Sequence, residues 1–246
     1  MIFSTFQFLI TTLLAAVCAR ALSLSDGEVP LIALVIPALW ILPQGGVAGL
    51  VLLTAMTSYG LTLSSQPFAL SVSVWMLLPL LMVIFSRRSS LTVILTTSLI
   101  VIALQVGIML TQSSGKLGGS ALLTTVQLIS IVAIWWSANH WKASDKHSWW
   151  VLAFILPLWI AGSSYAVLIA LSITGIIASL ESLNRLKTFK WNKLLCWSLP
   201  SVGFAALMIS PNVDVPKPVF VVWICLLATA WMTDYMLRSF EESQQL

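Results

Sequence analysis

Charge is scarce in this sequence: 12 Lys and Arg and 8 Asp and Glu make up only 8% of its 246 residues. Soluble domains carry about 25% charged residues, so an ordinary water-facing surface cannot be built from this composition. A soluble domain is excluded, and so is a nucleic-acid interface. The net charge of +4 comes from Lys and Arg in short loops between apolar spans, where they orient helices and meet anionic lipid. Acid–base groups are as rare: two His and eight acids, nearly all in loops, leave little machinery for general acid–base catalysis. H-E-x-x-H, G-x-S-x-G, an acidic prenyl-binding cluster and paired intramembrane aspartates are all missing. The expectation is a protein that carries no cofactor and is not an enzyme, with an intramembrane enzyme as the remaining alternative. Cysteine is also sparse. Cys18, Cys196 and Cys225 fall within or at the edges of apolar segments without metal-ligand spacing, and read as small buried hydrophobes.

What is abundant is hydrocarbon. Hydrophobic residues make up 59% of the chain and the mean hydropathy is +1.00, which defines an integral membrane protein and makes lipid its first partner. The fold class is an all-α polytopic helix bundle over residues 1–246. Ten apolar spans can be read: Ile2–Leu22, Val29–Pro43, Gly46–Leu63, Phe68–Phe85, Leu91–Leu110, Ala121–Asn139, Trp149–Ile160, Gly162–Leu180, Leu194–Ser210 and Lys217–Leu237. The first has an Ala19-Arg20-Ala21 that looks like a cleavage site. It lacks a basic leader, and Arg20 sits where cleavage would occur, so it reads as a retained transmembrane helix.

The longest uncharged tract, Trp149–Leu180, decides the sidedness of everything after it. As one straight helix it would measure about 48 Å, against a hydrocarbon core of about 30 Å. Ala161-Gly162-Ser163-Ser164 is the expected point of reversal. With the reversal, Arg87, Arg88, Lys142, Lys146, Arg185, Lys187, Lys190, Lys193 and Arg238 share one side, and only Arg20, Lys116 and Lys217 lie on the other. Without it the split becomes five to seven, so the positive-inside rule favours folding back and places both termini in the cytoplasm, as in a bacterial-type inner membrane. Val29–Pro43 would rise only about 22 Å and Trp149–Ile160 about 18 Å. Ten crossings, or eight plus two re-entrant hairpins, both satisfy the count.

Splitting the chain at the loop 113–120, its most flexible-looking linker, gives halves 1–112 and 121–246 of five segments each. An odd number makes any repeat inverted. In both halves the interrupted hairpin is the second and third segment. Ile36-Pro37-Ala38-Leu39-Trp40-Ile41 matches Leu156-Pro157-Leu158-Trp159-Ile160, and each is followed by a small or polar turn. Short, Gly/Pro-interrupted segments at corresponding positions point to a transporter's midplane site. The five-plus-five plan resembles the drug/metabolite transporter superfamily in topology; no motif carries the likeness.

The expected substrate-lining residues are therefore Trp40, Gly45, Gly46, Trp159, Ser163, Ser164 and Tyr165, between the Pro37–Gly49 and Pro157–Ser164 hairpins. Gln105 and Gln127 join them as the deepest large polar side chains. Either they bond to each other across a hairpin or they line a cavity for an uncharged polar group. Gly45-x-x-x-Gly49 allows a tight hairpin. Trp135, Trp136, Trp141, Trp149 and Trp150 bracket a charged loop as an aromatic belt; no metal ligand set is expected of His140, Asp145 and His147. Arg185, Lys187, Lys190 and Lys193 lie in a short amphipathic stretch expected to rest on the cytoplasmic leaflet. Asp234 and Arg238, spaced i,i+4, read as an interfacial ion pair. Two functions fit: a small transporter or flippase-like protein for a neutral, amphipathic or lipid-like substrate, or a non-catalytic subunit that anchors other membrane subunits.

Overall fold

The computed structural model describes residues 2–25, 29–140, 147–184, 196–197, 200, 203, 207 and 214–244. It is all-helical, 86% helix, with no strand among the described residues. The elements are α1 (Ile2–Leu24), α2 (Leu31–Leu63), α3 (Phe68–Ser73), a 3₁₀ turn (Val74–Met76), α4 (Leu77–Ile84), α5 (Leu91–Ser113), α6 (Ala121–His140), a second 3₁₀ stretch (Trp149–Phe154), α7 (Ile155–Ile160), α8 (Ser164–Asn184) and α9 (Lys217–Gln244). Five stretches are long and apolar enough to cross a membrane: Gly46–Leu63, Leu91–Ser113, Ala121–His140, Ser164–Leu183 and Lys217–Phe240. Thr5–Cys18, Leu31–Leu42, Phe68–Ile84 and Trp149–Ile160 are shorter apolar rods. These nine follow the apolar spans read from the sequence; most of the tenth, Leu194–Ser210, lies outside the described residues.

Burial is arranged inside out relative to a soluble protein. The inward stripe of α5 carries Thr97, Gln105, Ile108 and Gln112, while Leu95, Leu99, Ile102, Val106 and Leu110 are exposed. Helix α6 buries Thr124, Gln127, Ser130 and Ser137 and exposes Leu122, Ile129 and Val132. In water this would bury polar groups and expose hydrocarbon, a double cost. In lipid the same arrangement satisfies both sets of side chains.

Helix α2 is two rods. Its run breaks at Gly46 (φ 49°, ψ −127°), a conformation that favours glycine. A Cβ added at Gly49 would lie 3.0 Å from the Leu42 carbonyl oxygen, and one at Gly60 would lie 2.7 Å from Leu31 Cδ1. Leu31–Leu42 therefore folds back along Gly46–Leu63 as a close hairpin, and Gly49 permits the approach. Gly49→Val is expected to push the rods apart and cost about 1–3 kcal/mol by overpacking. The readout is the melting temperature in detergent; an unchanged value would mean that the hairpin is looser than this geometry.

The long uncharged tract also reverses. Helix α7 ends as Gly162 N donates to Trp159 O (3.0 Å) and Ser163 N to Leu158 O (3.1 Å), with Gly162 at φ +75°. This is a Schellman cap, which needs a left-handed residue after the helix. Helix α8 then returns beside the short rod, so Ala166, Val167 and Ala170 pack on Val151 and Leu158. Prolines shape the rods as well. Pro79 follows the 3₁₀ turn Val74–Met76, and Pro157 follows the 3₁₀ stretch Trp149–Phe154. A helical proline lacks its N–H and crowds the carbonyl four residues earlier, which tightens the preceding turn.

The rod Phe68–Ile84 is the centre of the bundle: Leu70, Val74, Met76, Leu78 and Leu80 are all almost wholly buried. Helix α1 packs along α8, where Gly175 gives Leu14 room. The connections gather at two ends. Residues 64–67 meet 114–120 at the first, through Gln66, Pro67, Gly118 and Ser120. At the second, Trp40 meets Ser148, Ala48 meets Ser137, and Phe85 meets Trp135. Arg87 and Arg88 belong to the second end and Lys116 to the first.

Candidate functional site

A polar seam runs inside the bundle along the inward face of α6. Thr124, Gln127 and Ser130 recur every three residues on that face, and Ser137 lies two turns further on. At the first end, Gln66 Nε2 donates to Ser120 O and to Thr124 Oγ1, both at 2.9 Å. Ser120 N donates back to Gln66 Oε1 at 3.3 Å. Thr124 Oγ1 donates to Gln112 Oε1 at 3.0 Å, and Gln112 Nε2 reaches Gly118 O at 3.5 Å. Two amides and a hydroxyl thus clamp the 114–120 loop over the seam. Glycine is required there. Gly119 has φ +69°, and a Cβ on it would overlap Gln66 Oε1.

One turn deeper, Gln127 Nε2 donates to Ser71 Oγ at 2.9 Å, and the Tyr59 hydroxyl donates to Ser71 O at 2.9 Å. Ser71 stands just before the 3₁₀ turn of the central rod, and Trp75 in that turn packs edge-on against Tyr59 with ring centroids 5.2 Å apart. Gln127 is 0% exposed, yet its Oε1 has no hydrogen-bond partner among the described residues. An unmatched buried acceptor costs about 1–3 kcal/mol, so this oxygen is a hook for a donor. Below it Ser130 is satisfied by Val126 O, and Ile131 and Ile134 close the seam with hydrocarbon. At the second end Ser137 Oγ donates to Ala48 O at 2.6 Å. Among the described residues the lining of the seam is neutral.

Among the described residues, an ionisable pair is buried at one place, in the second end. His147 Nε2 lies 3.2 Å from Glu181 Oε2, and the Glu181 side chain is only 2% exposed. The imidazole stacks on Trp40 with ring centroids 3.9 Å apart, Trp149 packs edge-on against the same indole, and Ser148 N donates to Trp40 O at 3.1 Å. Trp40, the start of the seventh span and the end of α8 are thereby tied together. The arrangement is a lock between the two hairpins and their flanking loop.

The residues expected to line a site are distributed rather than gathered. Trp40 is buried at the second end. Trp159, 67% exposed, lies at the opposite end of the short rod, and Ser164 and Tyr165 follow it on the outside of the Gly162 turn. Between the short rods the contact is apolar, built from Ala33, Ile36, Val151 and Leu158. Gly45 and Gly46 form the first reversal, and Ser163 belongs to the second. Gln105 and Gln127 are both buried, but the Gln127 amide bonds to Ser71 rather than across to α5. Arg185, Lys187, Lys190 and Lys193 lie outside the described residues, as do Trp141 and Asp145. Asp234 and Arg238 form their i,i+4 pair at 2.5 Å. No group of three metal-binding side chains occurs among the described residues.

Sequence reasoning missed Gln66, Ser71, Gln112 and the His147–Glu181 pair. Apart from the Gln112–Gly118 contact within the loop, their partners are 12 to 58 residues away in the chain, where no local periodicity signals them. The available sign was position: Gln66, Gln112 and Ser120 flank span ends that one loop has to close. Fold and seam together define an all-helical membrane protein with a neutral polar interior. The chain matches no family model, no curated protein and no solved structure.

Proposed function

We propose that this protein is a small transporter or flippase-like carrier for a neutral, amphipathic or lipid-like substrate, acting in a bacterial-type inner membrane. The observation that carries the reading is Gln127 Oε1, a buried acceptor without a partner beside the interrupted central rod. Polar groups inside lipid are expensive and mark pathways or packing contacts. A row of hydroxyls and amides on one helix face, with one acceptor left unmatched, serves a pathway better than packing alone. An uncharged seam suits an uncharged cargo, because an ion would meet no counter-charge there. The basic residues Arg87 and Arg88 favour a cytoplasmic second end, and ten crossings would put both termini on that side. The paired hairpins, each with a 12-residue short limb (Leu31–Leu42 and Trp149–Ile160), support an inverted repeat of two five-segment halves.

A specific observation favours the other reading, a non-catalytic membrane subunit. Helix α5 is held by a narrow stripe, and its outward row of Leu95, Leu99, Ile102 and Val106 is open along the whole helix. Native mass spectrometry of the protein extracted gently from membranes separates the two. Transport predicts a bound lipid or small molecule that is lost from Gln127→Leu. A stoichiometric second chain, with no bound molecule, would establish the subunit reading instead.

A further inference from the structure

At the first end the seam is closed by side-chain hydrogen bonds. Gln66, Gln112, Ser120 and Thr124 satisfy one another at the first end, directly above the unmatched Gln127 oxygen three residues down the same face of α6. We infer that the Gln127 carboxamide is the binding site for an uncharged solute bearing a hydroxyl or amide donor, and that the Gln66–Gln112–Thr124 clamp is the gate through which the solute arrives. The inference rests on the transport reading and adds a ligand class and a route to it.

Three features support a gate rather than a permanent seal. Its bonds are between neutral groups, each a small net contributor to stability, so opening takes less than moving a packed helix. The same groups are the donors and acceptors that a hydroxylic solute would exchange on passing. The clamping loop carries Gly115, Gly118 and Gly119, all at positive φ, while α5 and α6 on either side are regular helices. Beyond Ser130 the way is closed by Ile134, so a solute entering from the first end goes no deeper than the turn below the acceptor.

The test needs no knowledge of the natural ligand. In full-length protein with its three cysteines replaced, reconstituted in liposomes, Ser130→Cys places a thiol one turn below Gln127. The probes are 2-hydroxyethyl methanethiosulfonate, which is uncharged and carries a hydroxyl donor, and its trimethylammonium analogue. The uncharged reagent is expected to modify Ser130→Cys, and about tenfold faster once Gln66→Ala or Gln112→Ala removes part of the clamp. Adding Gln127→Leu is expected to slow it again by about tenfold, and the cationic reagent is expected to be excluded throughout. Rates unaffected by both clamp variants, equal modification by the cation, indifference to Gln127→Leu, or an inert thiol would each overturn the inference. An inert thiol in a protein that still retains a small molecule rejects this entrance alone. A second chain bound in place of any small molecule rejects the transport reading whatever the labelling rates.

Discussion

Gly119→Ala is expected to cost on the order of 3 kcal/mol, although it adds one methyl group to a surface loop. A non-glycine residue in the left-handed region costs about 1–2 kcal/mol. The rest comes from the methyl displacing Gln66 Oε1, which it would overlap, and from hydrogen bonds lost at about 1 kcal/mol each. Gly115→Ala is the internal control. Gly115 has φ +76° with nothing near its missing Cβ, so it should cost only the backbone strain. The measurement is the melting temperature of each variant in one detergent, alone and combined with Gln66→Ala. Gly119→Ala and Gln66→Ala should be strongly non-additive, because both break the same clamp. Equal effects of the two glycine changes would mean that the amide is not held where the structure places it.

The second large effect is at the other end of the bundle. His147→Ala is expected to destabilise by about 3 kcal/mol, because it strips the imidazole from a buried carboxylate and removes the ring stacked on Trp40. Replacing the pair together, His147→Leu with Glu181→Leu, should recover most of that loss, since a well-packed apolar pair commonly matches a buried ionic one. Thermal unfolding of the single and double variants checks this. If the double variant is as unstable as the sum of both single changes, the two side chains contribute through contacts other than the one they make with each other.

Local chemistry made much of this fold legible. Hydropathy marked the nine described apolar rods within a few residues, because lipid favours long apolar stretches. The two reversals were legible at Gly46 and Gly162 because only glycine adopts their backbone angles without strain. What could not be read was which side chains meet. Gln127 and Ser71 are 56 residues apart, and Gln66 and Thr124 are 58 apart. Their bonding is decided by how rods pack, to which periodicity is blind. The 113–120 loop shows the converse failure. Its glycines and serines read as slack, yet positive φ at Gly118 and Gly119 is what lets the chain close tightly onto Gln66.

Sidedness within the stretch 149–184 is the most direct measurement. Single cysteines at Trp149, Ser163 and Asn184, in a background without the native three, can be labelled with an impermeant maleimide in right-side-out and inverted vesicles. Reversal at Gly162 predicts that Trp149→Cys and Asn184→Cys label from one face, together with Arg88→Cys, while Lys116→Cys labels from the other. Labelling of Trp149→Cys and Asn184→Cys from opposite faces would contradict it, and would separate the imidazole and carboxylate that the structure joins at 3.2 Å.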